Sequence, residues 1–539
     1  MPQLNPLAIR PQRRVLFALS SLALVVGSLL ATTGCQQDES AQARAYQSTD
    51  RTQLVGGPGA LGEVGDYVIE NDEIRLVIQN DTFNRGTGLF GGSLIDADLV
   101  RQDGQGDPFG GNGRDAFGEA FPAFFLEVID PDEIVILDAD DFPERDDIDD
   151  GAAILEVRGD GGEFVTLARF FNQAMVNAYE PDFSDILSGE LPDSDGPALV
   201  EFTARYILEP GDRHVRIESE LTNVDDGDLP FPNPVVELLI DQFLGDEDGI
   251  DIEFDDFSVP TGLALGFGAM NDLFMPGFGY DVRFGLEDTY DEQDIDLPAL
   301  PGHLTEVLAT SSTDGVSYGF ATAPDEDANF PYNKQQSQGA AEDYYGDDVE
   351  PNEMLFVFEA AGYGGAFTHE LPDVLEPGES FTATNHFVLG SGDVASIRDE
   401  VYELHEFDTH TVTGRIFDDA TGEAVGEHAD IFTYEATDGS CAADDEPYII
   451  NQAHTNADGY FEFELPSGDY CYRTQHRGDT GDFESFTVDD QAVQLQATAP
   501  GHAYVEAFIT DHTGNPIPAK MTIVGTYEPR ADMQTREFL

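Results

Sequence analysis

The stretch FTARYILEPGDRHVRIESEL, Phe202 to Leu221, sets the fold class. Phe202, Ala204, Tyr206 and Leu208 recur at every second position, as do Val215, Ile217, Ser219 and Leu221, with Pro210-Gly211-Asp212 between them. A period of two puts each set on one face of a strand, and Pro-Gly-Asp supplies a turn, so the stretch predicts an antiparallel pair with one buried face. The pattern extends outward. Tyr67-Val68-Ile69 and Ile74 to Ile78 flank Asn71-Asp72-Glu73, a second hairpin. From Leu54 to Leu389 the apolar runs stay short and are split by Gly, Pro and Asp, which predicts one large β-sandwich region over residues 54–390.

After it the period changes. Val394, Ile397, Val401 and Leu404 follow Ser391-Gly392-Asp393 at offsets of three, four and three, which predicts a linker helix within 391–408, capped by Ser391 or Asp393. Strands then resume. Val412 to Phe417 reads as a strand, Asp418 to Gly422 as a turn, and Ala429 to Phe432 as a second strand. Thr455 to Gly459 turns into the alternating Phe461, Phe463 and Leu465, and Pro466 to Tyr470 turns into a further strand.

Composition limits partners. The chain has 539 residues, with 107 Asp plus Glu against 24 Lys plus Arg and a formal charge of -83; 40% of residues are hydrophobic and 38 are Phe. That apolar content builds packed cores in several domains. Nucleic acid is excluded as a partner, because phosphate binding needs a concentrated basic surface and the only lysines are Lys334 and Lys520. Self-repulsion of this size becomes tolerable where the Debye length is short, about 3 Å at 1 M salt, so the surface reads as halophilic.

Residues 1–34 contain no acid, carry Arg10, Arg13 and Arg14, and run apolar from Val15 to Leu30 before Ala31-Thr32-Thr33-Gly34-Cys35. That is an export signal, too short for a bilayer span of about 20 residues. The small residues before Cys35 resemble a bacterial lipobox, with Thr32 where the family has Leu. The resemblance implies a lipoprotein signal peptide over 1–34, lipidation of Cys35 and an extracytoplasmic chain anchored at the outer membrane or cell surface. Residues 35–53 are polar and read as a flexible tether.

Several spaced features resemble the carboxypeptidase regulatory-like family of transthyretin-like β-sandwiches. They are G-R-I-x-D-D-x-T-G from Gly414, N-A-D-G-Y-F from Asn456 and P-S-G-D-Y from Pro466. The resemblance implies a non-catalytic module, bounded at 409–498. Tyr504 to Gly525 suggests a partial second copy over 499–539, in which Asp511 to Pro516 repeats the turn. The stretch from Ala204 to Asn223 resembles supersandwich domains, so the fold expected is all-β: a large supersandwich-like region followed by one complete and one partial small sandwich. The overall layout is similar to the non-catalytic front of surface metallohydrolases of the PHP type. Cys441 and Cys471, two cysteines in one small exported module, are expected to form a disulfide.

No constellation for catalysis emerges. Gly315-Val316-Ser317-Tyr318-Gly319 matches G-x-S-x-G, but Asp314-Gly315 is a turn signal and Val316, Tyr318 and Phe320 alternate as a strand, whereas a nucleophile elbow needs a following helix. His369 or His386 could be named as base, with nothing to orient either. The 11 histidines show no H-x-H or H-E-x-x-H spacing, and the acidic runs Asp138–Gly151 and Asp246–Asp256 do not match a calcium loop. Gly88 to Gly92 and Gly110 to Gly113 lack a P-loop lysine. The expectation is a surface lipoprotein without cofactor or metal that binds glycan or envelope protein through Tyr- and Phe-bearing loops. The competing expectation is the front part of a longer hydrolase, or a glycan-processing enzyme with its site in 54–390.

Overall fold

The structure is a computed structural model and describes residues 42–86, 88, 90–101, 113–124, 127–145, 147–161, 200–230, 260–266, 270–274, 276, 279–280, 306–311, 315–323, 363–370, 372, 374–426, 429–436, 441, 448–489, 491–501, 509–513 and 515–517. It is all-β, with strands throughout and one α-helix, Ala395–Leu404, among the described residues. Residues 1–34 and Cys35 lie outside them.

Val200–Leu208 and His214–Asn223 pair antiparallel, with Phe202 opposite Leu221 and Tyr206 opposite Ile217. The alternating apolar residues of both strands are buried, and Gly211 turns the chain at a φ of 88°. The earlier hairpin, Tyr67–Glu70 with Ile74–Ile78, closes on Asn71, whose side-chain oxygen accepts the Glu73 and Ile74 N–H groups at 2.9 Å each. Both belong to a 15-stranded sheet that follows chain order from Arg44–Gln47 to His214–Asn223. It then continues through Ser380–Gly390, Ser317–Thr322, Glu306–Ser311 and Asn271–Phe274. The sheet turns back on itself. Phe117 lies 4.7 Å from the Phe387 ring and 5.2 Å from Tyr318, and Tyr206 donates to the Gly92 carbonyl at 2.9 Å. Between the two layers lies one core that includes Ile69, Leu94, Leu155, Phe202, Ile217 and Phe320.

The tether expected over 35–53 is corrected where it is described. Arg44–Gln47 is a strand on Tyr67–Glu70, and Asp50 caps a short 3-10 turn at Arg51–Gln53. Its polar composition concealed this, because Ala43 and Ala45 pack on the core while Arg44 Nε bonds the buried Glu70 at 2.7 Å.

The small sandwich has two sheets. One holds Tyr460–Pro466, Thr409–Asp418 and Val493–Ala499; the other holds Tyr448–His454, Ala429–Glu435, Gly468–His476, Asp479–Thr480 and Glu484–Val488. Phe461, Phe463 and Leu465 point into the core between them, as their alternation predicts. Four of these strands were not read from the sequence, among them Val493–Ala499, which runs parallel to Thr409–Asp418.

The helix is a wedge between the two bodies. Ile397 and Val401 pack with Phe274, Ala321 and Val388 of the large sheet. On the other side, Asp393 accepts the His454 N–H at 3.0 Å and Asp399 accepts the Glu464 N–H at 2.8 Å. Asp393, just before the helix, and Asp399, within it, thereby occupy N–H groups on edge strands of both small sheets. Of the partial second copy, Ile509 to Thr513 and Asn515 to Ile517 are described. Asp511 accepts the Thr513 and Asn515 N–H groups at 2.8 and 2.9 Å. The first copy's Asp418 accepts from Thr421, three residues on, so the second turn is one residue tighter than a repeat.

Candidate functional site

Ser317 begins the strand Ser317–Thr322, opposite Gly390, and is fully buried. Its hydroxyl donates to the Asp393 carbonyl at 2.8 Å and accepts the Gly392 N–H at 3.1 Å. Both capacities are spent on the chain entering the helix, so Ser317 is no nucleophile. A Cβ on Gly319 or on Gly390 would overlap the Ile397 side chain, which makes the glycines of this string a seat for the helix. The His369 side chain lies outside the described residues.

His386 does lie in a cluster. It is 5% exposed, its Nδ1 meets no hydrogen-bond partner among the described residues, and its ring stands edge-on to His214 at 5.0 Å. His214 Nδ1 in turn lies 2.9 Å from Glu400 of the helix, and its Nε2 lies 3.5 Å from Asp212. Burial, then the neighbouring His214, Arg216 and His405, holds His386 protonation well below its ordinary range. Burial works against ionisation of Glu400, yet the hydrogen bond and charge of His214, with Arg213, bring it below the ordinary carboxylate range. A histidine depressed in the folded state takes its proton more readily when unfolded, so its contribution is lost as pH falls below about 6.5. His386→Gln removes that loss. The melting temperature of the variant should therefore fall less than that of the parent between about pH 7 and pH 5. Parallel melting curves across that window would rule the account out.

A second group of titratable residues lies inside the large sandwich. Burial pushes Asp96 up to about 6, although it accepts the Leu61 and Gly62 N–H groups at 2.6 and 2.9 Å. Burial and then the Asp96 charge push Asp115 well above the carboxylate range, and its Oδ2 has no partner among the described residues. Its Oδ1 accepts the Ala97 N–H at 2.9 Å. These acids fix the paths of the segments around Leu61 and Ala97. Nothing in the sequence sets them apart from the other 105 acids, since 107 less these two share the same composition signal.

A cleft of about 710 Å³ opens where sandwich, helix and module meet. Seven carboxylates and one arginine line it: Glu73, Asp393, Asp399, Glu400, Glu403, Glu462, Glu464 and Arg213. Its central acids are already engaged. Asp399 is held well above the carboxylate range by burial while it accepts from Glu464, and Arg213 donates to Glu73 at 2.9 Å. The cleft is the seam that joins the two bodies.

The outer face of the module's three-stranded sheet, to which Glu462 and Glu464 of the cleft also belong, meets solvent around Arg415 and Tyr460. Thr413, Arg415 and Phe417 alternate outward there, with Tyr460 opposite Arg415 on one side and Gln496 opposite it on the other. Tyr460 is 49% exposed, and Gln494, Gln496 and Thr498 are exposed. The aromatic residues expected in loops are thus held on strands.

Cys441 and Cys471 are joined as a disulfide with Cα atoms 6.0 Å apart. The acids of Asp138–Gly151 act locally: Asp138 caps the turn at Ala139–Asp141, and Asp147 pairs with Arg145 and Arg216. Asp246–Asp256 and Gly110 to Asn112 lie outside the described residues. Among the described residues no three metal-ligating side chains gather, and no helix is long and apolar enough to cross a membrane.

No family model matches the chain, and no curated protein matches it. Among solved structures, a DUF3823 family protein from Bacteroides ovatus is 21% identical over 17% of this chain and 44% of its own, with a TM-score of 0.13. Another from Parabacteroides merdae is 17% identical over 17% of this chain and 46% of its own, also at 0.13. A TPR-domain containing protein from Parabacteroides distasonis is 10% identical over 66% of this chain and 55% of its own, at 0.28. The chain spans less than half the length of the first two. Scores of this size carry no weight for function.

Proposed function

We propose that the chain is a halophilic, lipid-anchored protein outside the cytoplasm that binds glycan or protein at the envelope without turning it over. The observation that carries this reading is the mounting of the small sandwich. Its edge strands are tied to the helix through Asp393 and Asp399, while the outer face of its three-stranded sheet meets solvent with Tyr460 half-exposed. A surface held rigid before binding loses little conformational entropy on binding, which suits recognition. The reading of the module as carboxypeptidase regulatory-like, and of Cys35 as a lipidation site, points the same way.

Electrophoresis of the full chain through gels containing envelope polysaccharide, paired with an assay for new reducing ends, tests the binding role. Retardation with no new reducing ends is expected. Release of reducing ends would make the chain an enzyme and overturn the proposal. Anchoring is tested by mass spectrometry of the N-terminal peptide of native protein from the membrane fraction, expected to begin at Cys35 and to carry acyl chains; an unacylated peptide would refute it.

A further inference from the structure

We propose that Arg415 and Tyr460 form a binding site for an anionic pyranose, a sugar ring bearing a carboxylate or sulfate, within a polysaccharide. The proposal rests on the binding role above and specifies its ligand class. Arg415 sits at the centre of the outer sheet face, with its guanidinium 4.7 Å from the Tyr460 ring centroid and 5.6 Å from that of Phe417. Its Nε donates to the Asp458 carbonyl at 2.7 Å, which fixes the plane of the group. Among the described residues its terminal nitrogens take no partner.

Among the described residues most arginines are paired with an acid, although Arg51 and Arg477 are not. Arg44, Arg75, Arg85, Arg101, Arg145 and Arg213 each pair with an Asp or Glu, as expected where acids outnumber bases 107 to 24. Glu462, opposite Thr413 two residues along the strand, and Asp458 in the turn make no ion pair with Arg415. What remains is a positioned, unpaired fork of N–H donors, and such a fork matches the two oxygens of a carboxylate or sulfate. The half-exposed Tyr460 ring beside it offers its negative face to the C–H groups of a pyranose. Gln494 and Gln496, exposed on the next strand, carry amides that can both donate to and accept from ring hydroxyls. A neutral sugar would leave the guanidinium unused. A long polyanion would meet repulsion from the rest of the surface except where salt screens it, whereas contacts at the fork persist.

The test is calorimetric titration of the full chain at about 1 M KCl with three oligosaccharides of matched length: a polygalacturonate, a sulfated galactan and a neutral glucan. Tight binding of at least one anionic probe over the neutral one is expected, and the preferred probe separates carboxylate from sulfate. Tyr460→Ala should abolish the heat, and Arg415→Lys, which keeps the charge and loses the fork, should weaken binding at least tenfold. Unchanged melting temperatures would show that both variants remain folded. Equal affinity for the neutral glucan, or anionic binding that survives both substitutions, would overturn this site while leaving envelope binding standing. Failure of every probe here, together with no retardation by whole envelope polysaccharide, would overturn both.

Discussion

Gly319→Val is expected to unseat the helix Ala395–Leu404 and to release the small sandwich from the large one. The Cβ of a residue at 319 would overlap Ile397, and the same side chain overlaps a Cβ at Gly390 on the neighbouring strand. Two adjacent strands thus present a flat notch into which Ile397 drops. Overpacking a filled site costs about 1–3 kcal/mol, and withdrawal of Ile397 from its pocket forfeits roughly another 1.5–3 kcal/mol of burial. Losses of about 3–5 kcal/mol exceed what the polar ties of Asp393 and Asp399 can restore, because each hydrogen bond contributes about 1 kcal/mol net. Calorimetry of Gly319→Val should show the single transition of the parent split in two, and limited proteolysis should begin to cut within residues 391–408. A variant that melts in one transition at the parent temperature would show that the notch does not hold the helix.

How much of this was legible depends on whether the signal was periodic or relational. The hairpin at Phe202–Leu221 was readable because eight positions, seven of them apolar, repeat at a period of two, and its register follows from the turn. The helix was readable for the same reason at a period near 3.6, and Asp393, named as a cap, does accept the Ser396 N–H at 3.0 Å. Arg44–Gln47 was hidden because an edge strand can place charge on one face and alanine on the other, which resembles a tether in composition. Val493–Ala499 alternates as openly as any strand, yet its partner, Thr409–Asp418, lies some eighty residues earlier and parallel to it. Arg415 was visible within a recurring motif, but its place beside Tyr460 exists only once the register Arg415 to Tyr460 is formed. The buried Asp96 and Asp115 were illegible in principle, since a fifth of the chain is acidic and burial alone distinguishes them.

The disulfide should carry a comparable share of the module's stability. Cys471 is fully buried on the strand Gly468–His476, which pairs with Ala429–Glu435, and Cys441 lies beyond the end of that second strand, 30 residues before Cys471. Closing a loop of that length contributes roughly 3–4 kcal/mol in the chain-entropy model. A domain's net stability is about 5–15 kcal/mol, so the bond supplies a large fraction of it. Cys441→Ala with Cys471→Ala avoids burying a new hydroxyl beside Phe432 and Tyr434. For a module of this size the double variant should melt about 15–25 °C lower. The large sandwich, whose described core contains no cysteine, should then melt separately, near the temperature of the parent's single transition. Arg415 and Tyr460 belong to the opposite sheet, so ligand affinity below the lowered transition should equal that of the parent. Binding lost while the variant is still folded would mean that the disulfide shapes the outer face directly; an unchanged melting temperature would mean that the five-stranded sheet holds without it.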